Sequence, residues 1–175
     1  MFESLALALA KAFATYLFKY YVLASPNVKI EGAPSWFYKE SAQEICVFPY
    51  EKGGYETLES IKGKSVTMMT SKIDGITEIV VYENYRNLKD PKEKEFVKAF
   101  MKDSELPVFV RQSMRFRDII YDKDTYTAFG KACIEKDELV KYQEERLGKL
   151  KTALSQERSD KAFEEMDSDN DFMFK

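Results

Sequence analysis

Histidine, the side chain most often used for acid–base work near neutral pH and for holding metals, does not occur in this chain. A serine or cysteine nucleophile would therefore need a lysine or a carboxylate as its base, and no local spacing supplies one. The paired acids Asp122 and Asp124 sit in a polar turn, Asp122-Lys123-Asp124, and turn chemistry accounts for them. Gly63-Lys64-Ser65 spells the end of a phosphate loop. The upstream glycine which that motif requires falls at Leu58, and the triplet lies inside a helical pattern. Gly53-Gly54 is followed by neither glycine-rich nucleotide motif and reads as a turn. Asp167-Ser168-Asp169-Asn170-Asp171 imitates the opening of a calcium loop, but its sixth position, where glycine is needed, is Phe172. The tail, with Glu164 and Glu165, reads as a solvated acidic end. No catalytic residue, metal site or cofactor is predicted, and an enzyme is not supported.

Two cysteines remain. Cys46 and Cys133 are too few and too far apart for a zinc site or a CxxC redox motif. Both lie in strand-like stretches, and two readings stay open: one disulfide in an oxidising compartment, or two buried thiols acting as small hydrophobes. Arg111, Arg115 and Arg117 form a row on what reads as one strand. A solvated strand face is the plain interpretation, and an anionic partner or a membrane headgroup the sharper one.

These residues need elements to position them. Val108, Val110, Met114 and Phe116 alternate with Arg111, Ser113, Arg115 and Arg117, the period of a strand with one buried face. The apolar parity flips to Ile119 and Tyr121 beyond Arg117-Asp118, which one extra residue, a β-bulge, explains. Thr125 to Ile134 is a second strand. Its even positions, Ala128, Gly130 and Ala132, are small, leaving room for a helix to lie close on that face. Glu44 to Tyr50 reads as a short strand that Pro49 confines to an end or an edge.

A helix is predicted over about Tyr55 to Tyr82, with Leu58, Ile61, Ser65, Met68, Met69, Ile73, Ile76 and Val80 on one stripe and a weak point at Gly75. Asp90-Pro91 caps a short amphipathic helix within a connection, Tyr82 to Leu106, that reads as an excursion from the body. Asp137-Glu138 opens a long polar helix carrying Val140, Leu147, Leu150 and Leu154. Trp36, the single tryptophan, is expected to plug one end of the core.

The leading stretch, Met1 to Ala24, reads as a helix that is apolar over most of its circumference and ends at Pro26. Lys11 and Lys19 argue against a membrane span, and Glu3 against a secretory signal. Phe2, Leu5, Leu9, Phe13, Tyr16 and Tyr20 are its candidate contact residues. The shortage of basic residues favours packing on this domain, on a protein partner or on a second copy over peripheral membrane contact.

With 175 residues, the chain is long enough for one domain with a sizeable core. A net charge of −3 and a pI near 5.3 lack the basic footprint of nucleic-acid binding. The organisation predicted is an amphipathic N-terminal helix (1–25), an α+β domain (33–154) and a polar acidic C-terminal extension (155–175). The domain is read as a strand-helix-strand-strand unit, a three-stranded, mainly antiparallel sheet packed on a long helix.

Two segments resemble a known family. Pro34-Ser35-Trp36, followed by a short strand, a glycine turn and one long helix, is similar to the LPP-twenty lipoprotein family. So is the arginine-bearing strand followed by Thr125-Tyr126-Thr127-Ala128-Phe129-Gly130-Lys131-Ala132 and Ile134-Glu135-Lys136-Asp137 opening a helix. The resemblance covers about Ala33 to Leu147. Family members are small envelope proteins, and a flagellar disk protein and a secreted TNF-inducing protein share the architecture. It implies a self-associating, non-enzymatic component of the bacterial periplasm or cell envelope, with a link to motility, and no catalytic residues to carry over. The lipidated cysteine of the family is missing here, which leaves a cytoplasmic location open. The alternative is a membrane-surface or anionic-ligand binding module using the first helix and the arginine row.

Overall fold

The computed structural model describes residues 30–39, 41–102 and 105–172, with the backbone alone at 83, 84, 101 and 163–172. The predicted N-terminal helix, and with it Phe2, Leu5, Leu9, Phe13, Tyr16 and Tyr20, lies outside these residues. The described elements run β1 (Glu44–Val47), β2 (Tyr50–Lys52), α1 (Thr57–Tyr85), α2 (Pro91–Met101), α3 (Leu106–Ser113), β3 (Arg115–Asp122), β4 (Thr127–Glu135) and α4 (Lys136–Phe172).

All strand pairing is antiparallel and centres on β4, which takes β1 and β2 on one side and β3 on the other. The strands β1 and β2 keep a single register, from Glu44 opposite Glu135 to Lys52 opposite Thr127. They are one strand interrupted at Pro49, whose missing N–H removes half of a ladder pair while its carbonyl still accepts from the Gly130 N–H at 2.9 Å. The sheet is thus three strands wide in practice and rests on α1, the α+β strand-helix-strand-strand arrangement expected.

The two faces of β4 differ because side chains alternate. Ala128, Gly130, Ala132 and Ile134 face α1. A Cβ built on Gly130 would stand 2.8 Å from Ile61 Cγ2 and 3.3 Å from Pro49 Cγ, so the row of small residues admits the helix. Gly130→Ala is expected to cost about 1–3 kcal/mol by overpacking. The denaturation midpoint reads this, and the cost shrinks in an Ile61→Ala background because the clashing methyl is gone.

The buried stripe of α1 is Ile61, Ser65, Met69, Ile73, Ile76 and Val80, each fully inaccessible. Met68 is exposed and Leu58 half-buried, so the predicted stripe was too wide by two residues. The buried hydroxyls of Ser65 and Thr77 donate to the Ile61 and Ile73 carbonyls, both at 2.8 Å, and the Thr77 hydroxyl also accepts from the Gln143 side-chain amide of α4 at 2.5 Å. The helix passes Gly75 without a break.

Leu106–Ser113 corrects the sequence reading. It is a helix, not the first half of a strand. Pro107 fits the first helical turn, and Leu106, Val110 and Met114 are buried at a four-residue spacing that also satisfies an alternating pattern. Two periods fit the same residues, and packing against α1 selects the helical one. The strand starts only at Arg115. Its ladder with β4 shifts by one residue between Phe116 and Asp118, which places the bulge at Arg117 as the parity flip indicated.

The connection after α1 also packs more closely than an excursion would. Asp90 caps α2 by accepting from the Lys92 N–H at 2.8 Å, and Val97 joins Val81, Leu150 and Leu154 in a separate apolar cluster. Glu93 accepts two hydrogen bonds from the Arg158 guanidinium, at 2.6 and 3.0 Å, and Lys161 lies 3.4 Å from Asp90. These pairs tie α2 to a stretch of α4 beyond residue 154, and α4 runs through that position unbroken.

The Lys92 N–H, then Lys161, holds the Asp90 carboxyl below the usual carboxylate range, and the Arg158 guanidinium does the same for Glu93. A depressed carboxylate adds stability that is present above its unfolded pKa, near about 4, and is lost as pH falls through the lower folded value. Melting temperature is therefore expected to drop on acidification through and below that range. Asp90→Ala and Glu93→Gln should each melt lower at neutral pH and show a shallower acid dependence.

Candidate functional site

The face of β4 away from α1 carries Phe129 and Cys133, and to it β1 contributes Cys46 and the link between β1 and β2 contributes Phe48. Cys46 lies directly opposite Cys133 in the ladder. Because the Pro49–Gly130 pair is hydrogen-bonded, alternation makes the Cys46–Cys133 pair non-hydrogen-bonded, the closer of the two cross-strand geometries. The Cα atoms are 4.1 Å apart and the sulfurs are joined, with S–S 2.09 Å.

Arg117 lies over this bridge. At the bulge it leaves the regular alternation, and its Nε donates to Glu44 Oε1 at 2.7 Å. A second contact joins Arg117 Nη2 to the same oxygen, and Glu135 is 3.7 Å away. Glu44 and Glu135 face each other in the ladder, where like charges repel, and the single positive charge of Arg117 lies between them and offsets that repulsion. Glu44, Cys46 and Cys133 bring their ligand atoms within 4.8 Å of one another. Two of the three atoms are spent in the disulfide and the third on Arg117, so this cluster does not suit a metal ion.

The arginine row does not exist as a row. Arg111 is on α3, Arg115 turns back to donate to the Gln112 and Met114 carbonyls at the end of that helix, and Arg117 is ion-paired over the disulfide. The physical reason is the helix–strand boundary at Met114, which separates residues that a continuous strand would align.

The aromatic plug on this face is Phe37 rather than Trp36. Phe37 is buried against Phe129 at 5.1 Å and Phe48 at 5.7 Å between ring centres, while Trp36 is only half-buried beside it. The sequence pointed to the larger ring, but the turn through Tyr38, which adopts φ 65°, aims the neighbouring ring inward.

Two open surfaces remain. The first is a groove of about 1040 Å³ between α1 and the α2–α3 segment. Val81, Tyr85, Leu88, Val97 and Leu106 give it apolar walls, Lys94, Lys98 and Lys102 line one rim, and Asp74 and Glu78 line the other. Its apolar walls between rims of opposite charge suit an amphipathic ligand or segment. Sequence reasoning missed it because the groove depends on the angle between two helices that no local pattern encodes.

The second is β3. Among the described residues no strand pairs with its outer side, and Phe116, Ile119 and Ile120 are 37%, 40% and 36% exposed. Its apolar residues are interspersed with Arg115, Arg117, Asp118 and Asp122, and the bulge at Arg117 interrupts its length.

Among the described residues no helix is long and apolar enough to cross a membrane. No family model, curated protein or solved structure matches the chain.

Proposed function

We propose that this protein is a non-enzymatic structural or protein-interaction component of the bacterial cell envelope that works by self-association, with a link to motility as the resemblance to the LPP-twenty family implies. The observation that supports this reading is the outer side of β3, with which no strand pairs among the described residues and where Phe116, Ile119 and Ile120 are exposed. The Cys46–Cys133 bridge supports an oxidising compartment such as the periplasm, since disulfides persist there and are rare in reducing cytosol. Light scattering on the full chain, and on a version lacking Met1–Ser25, tests the association. A concentration-dependent oligomer supports the reading, and a strict monomer unchanged by the truncation would overturn it. Cell fractionation tests the compartment, and recovery in the cytosol with free thiols would remove the envelope assignment.

A second reading, an anionic-ligand or membrane-surface module, is favoured by the lysines on one rim of the groove. Co-sedimentation with anionic vesicles at low salt tests it, and no binding there would exclude it.

A further inference from the structure

The two edges of the sheet are treated differently. Pro49 directs its carbonyl to β4, so alternation points the Cys46 and Tyr50 carbonyls outward, and lysines from α1 take both. Lys72 donates to the Cys46 carbonyl at 2.8 Å and Lys64 to the Tyr50 carbonyl at 2.9 Å. Lysine-covered edges resist the addition of another strand. On the opposite edge, Ile119 lies across from Gly130, whose N–H is committed to Pro49. The β4 groups that bond to β3 are therefore those of Phe129 and Lys131, and the N–H and C=O of Ile119 point out of the sheet.

We propose that β3 pairs antiparallel with β3 of a second copy, about a two-fold axis through Ile119, joining two sheets into one. The proposal rests on the self-association reading above and assigns its interface.

Charge selects the register. A two-fold axis normal to the sheet sets residues of the same face opposite each other. On β3 one face carries Phe116, Ile119 and Tyr121, and the other Arg115, Asp118, Ile120 and Asp122. With the axis at Ile119, Asp118 faces Ile120 of the second copy. The extra residue at Arg117 then sets Phe116 against Tyr121 and Arg115 against Asp122 of that copy. Moving the axis to Asp118 sets that carboxylate against itself, and moving it to Ile120 sets Asp118 against Asp122. Of these three registers, the one centred on Ile119 sets unlike charges opposite each other and no carboxylate against a carboxylate.

The test uses the full chain with Ile119→Lys, Ile119→Asp and their equimolar mixture, measured by sedimentation or light scattering. Because Ile119 faces its own copy, each variant places like charges on the axis and should weaken association by about tenfold or more. The mixture should recover it by pairing lysine with aspartate. Ile119 is 40% exposed, so the variants should melt close to the parent. If either unfolds, Ile119→Cys under mild oxidation gives a covalent dimer, and Lys123→Cys does not. Association that survives Ile119→Lys, or a mixture that recovers nothing, overturns the β3 interface and leaves self-association standing. A parent protein that is monomeric at all concentrations overturns both.

Discussion

Phe129→Ala is expected to destabilise the domain by about 3–5 kcal/mol, the largest effect of any single truncation away from α1. Phe129 is fully buried and is the ring on which Phe37 and Tyr50 converge, with centroids 5.1 and 6.4 Å away. Those contacts are what hold residues 30–39 onto the outer face of the sheet. Truncation removes the buried ring and leaves a cavity that the disulfide-bonded strands close only in part. Guanidinium unfolding measures the loss. Trp36, the single tryptophan, sits in the segment that Phe129 anchors, so its emission should also shift to the red before global unfolding. Tyr126→Ala, at a residue 67% exposed, should stay within about 0.5 kcal/mol of the parent. Comparable losses at both positions would mean that the aromatic cluster is not a core.

The double replacement Cys46→Ala, Cys133→Ala is the second large effect, about 2–5 kcal/mol. The bridge closes residues 87 apart in sequence, so opening it restores a long loop's freedom to the unfolded chain. For a chain of this size the melting temperature should fall by roughly 2–4 °C for each kcal/mol lost. Both cysteines are 1% exposed and lie beside the Arg117–Glu44 pair, so a thiol reductant should act slowly on the folded protein and quickly once it is unfolded. Rapid reduction under native conditions would contradict that cover. Free thiols in the protein recovered from its native compartment would contradict the bridge itself.

Local chemistry explains which parts of this architecture were legible beforehand. Proline at position 49, the small residues of β4 and the Asp90-Pro91 pair each act through their own backbone or volume, and the elements follow from them. The bulge at Arg117 was also readable, because one inserted residue must flip the apolar parity. Leu106–Ser113 was not. Its residues satisfy two periodicities, and burial of Leu106 and Val110 against α1 decides between them. That single difference dissolved the arginine row, since Arg111, Arg115 and Arg117 share a face only if the strand is continuous. The lysines that cover the β1–β2 edge were equally invisible, because Lys64 and Lys72 reach strands brought near only by the tertiary fold.

The two edges of the sheet differ: lysines take the Cys46 and Tyr50 carbonyls on one, and among the described residues no strand pairs with the other. Amide hydrogen exchange of the full chain, followed as protein concentration is raised, measures that difference directly. Exchange across residues 115–122 should slow with concentration, at the outward amides of Ile119 and Tyr121 above all, while residues 44–52 show no change. Protection that rises at 44–52 and not at 115–122, or at neither, would contradict it.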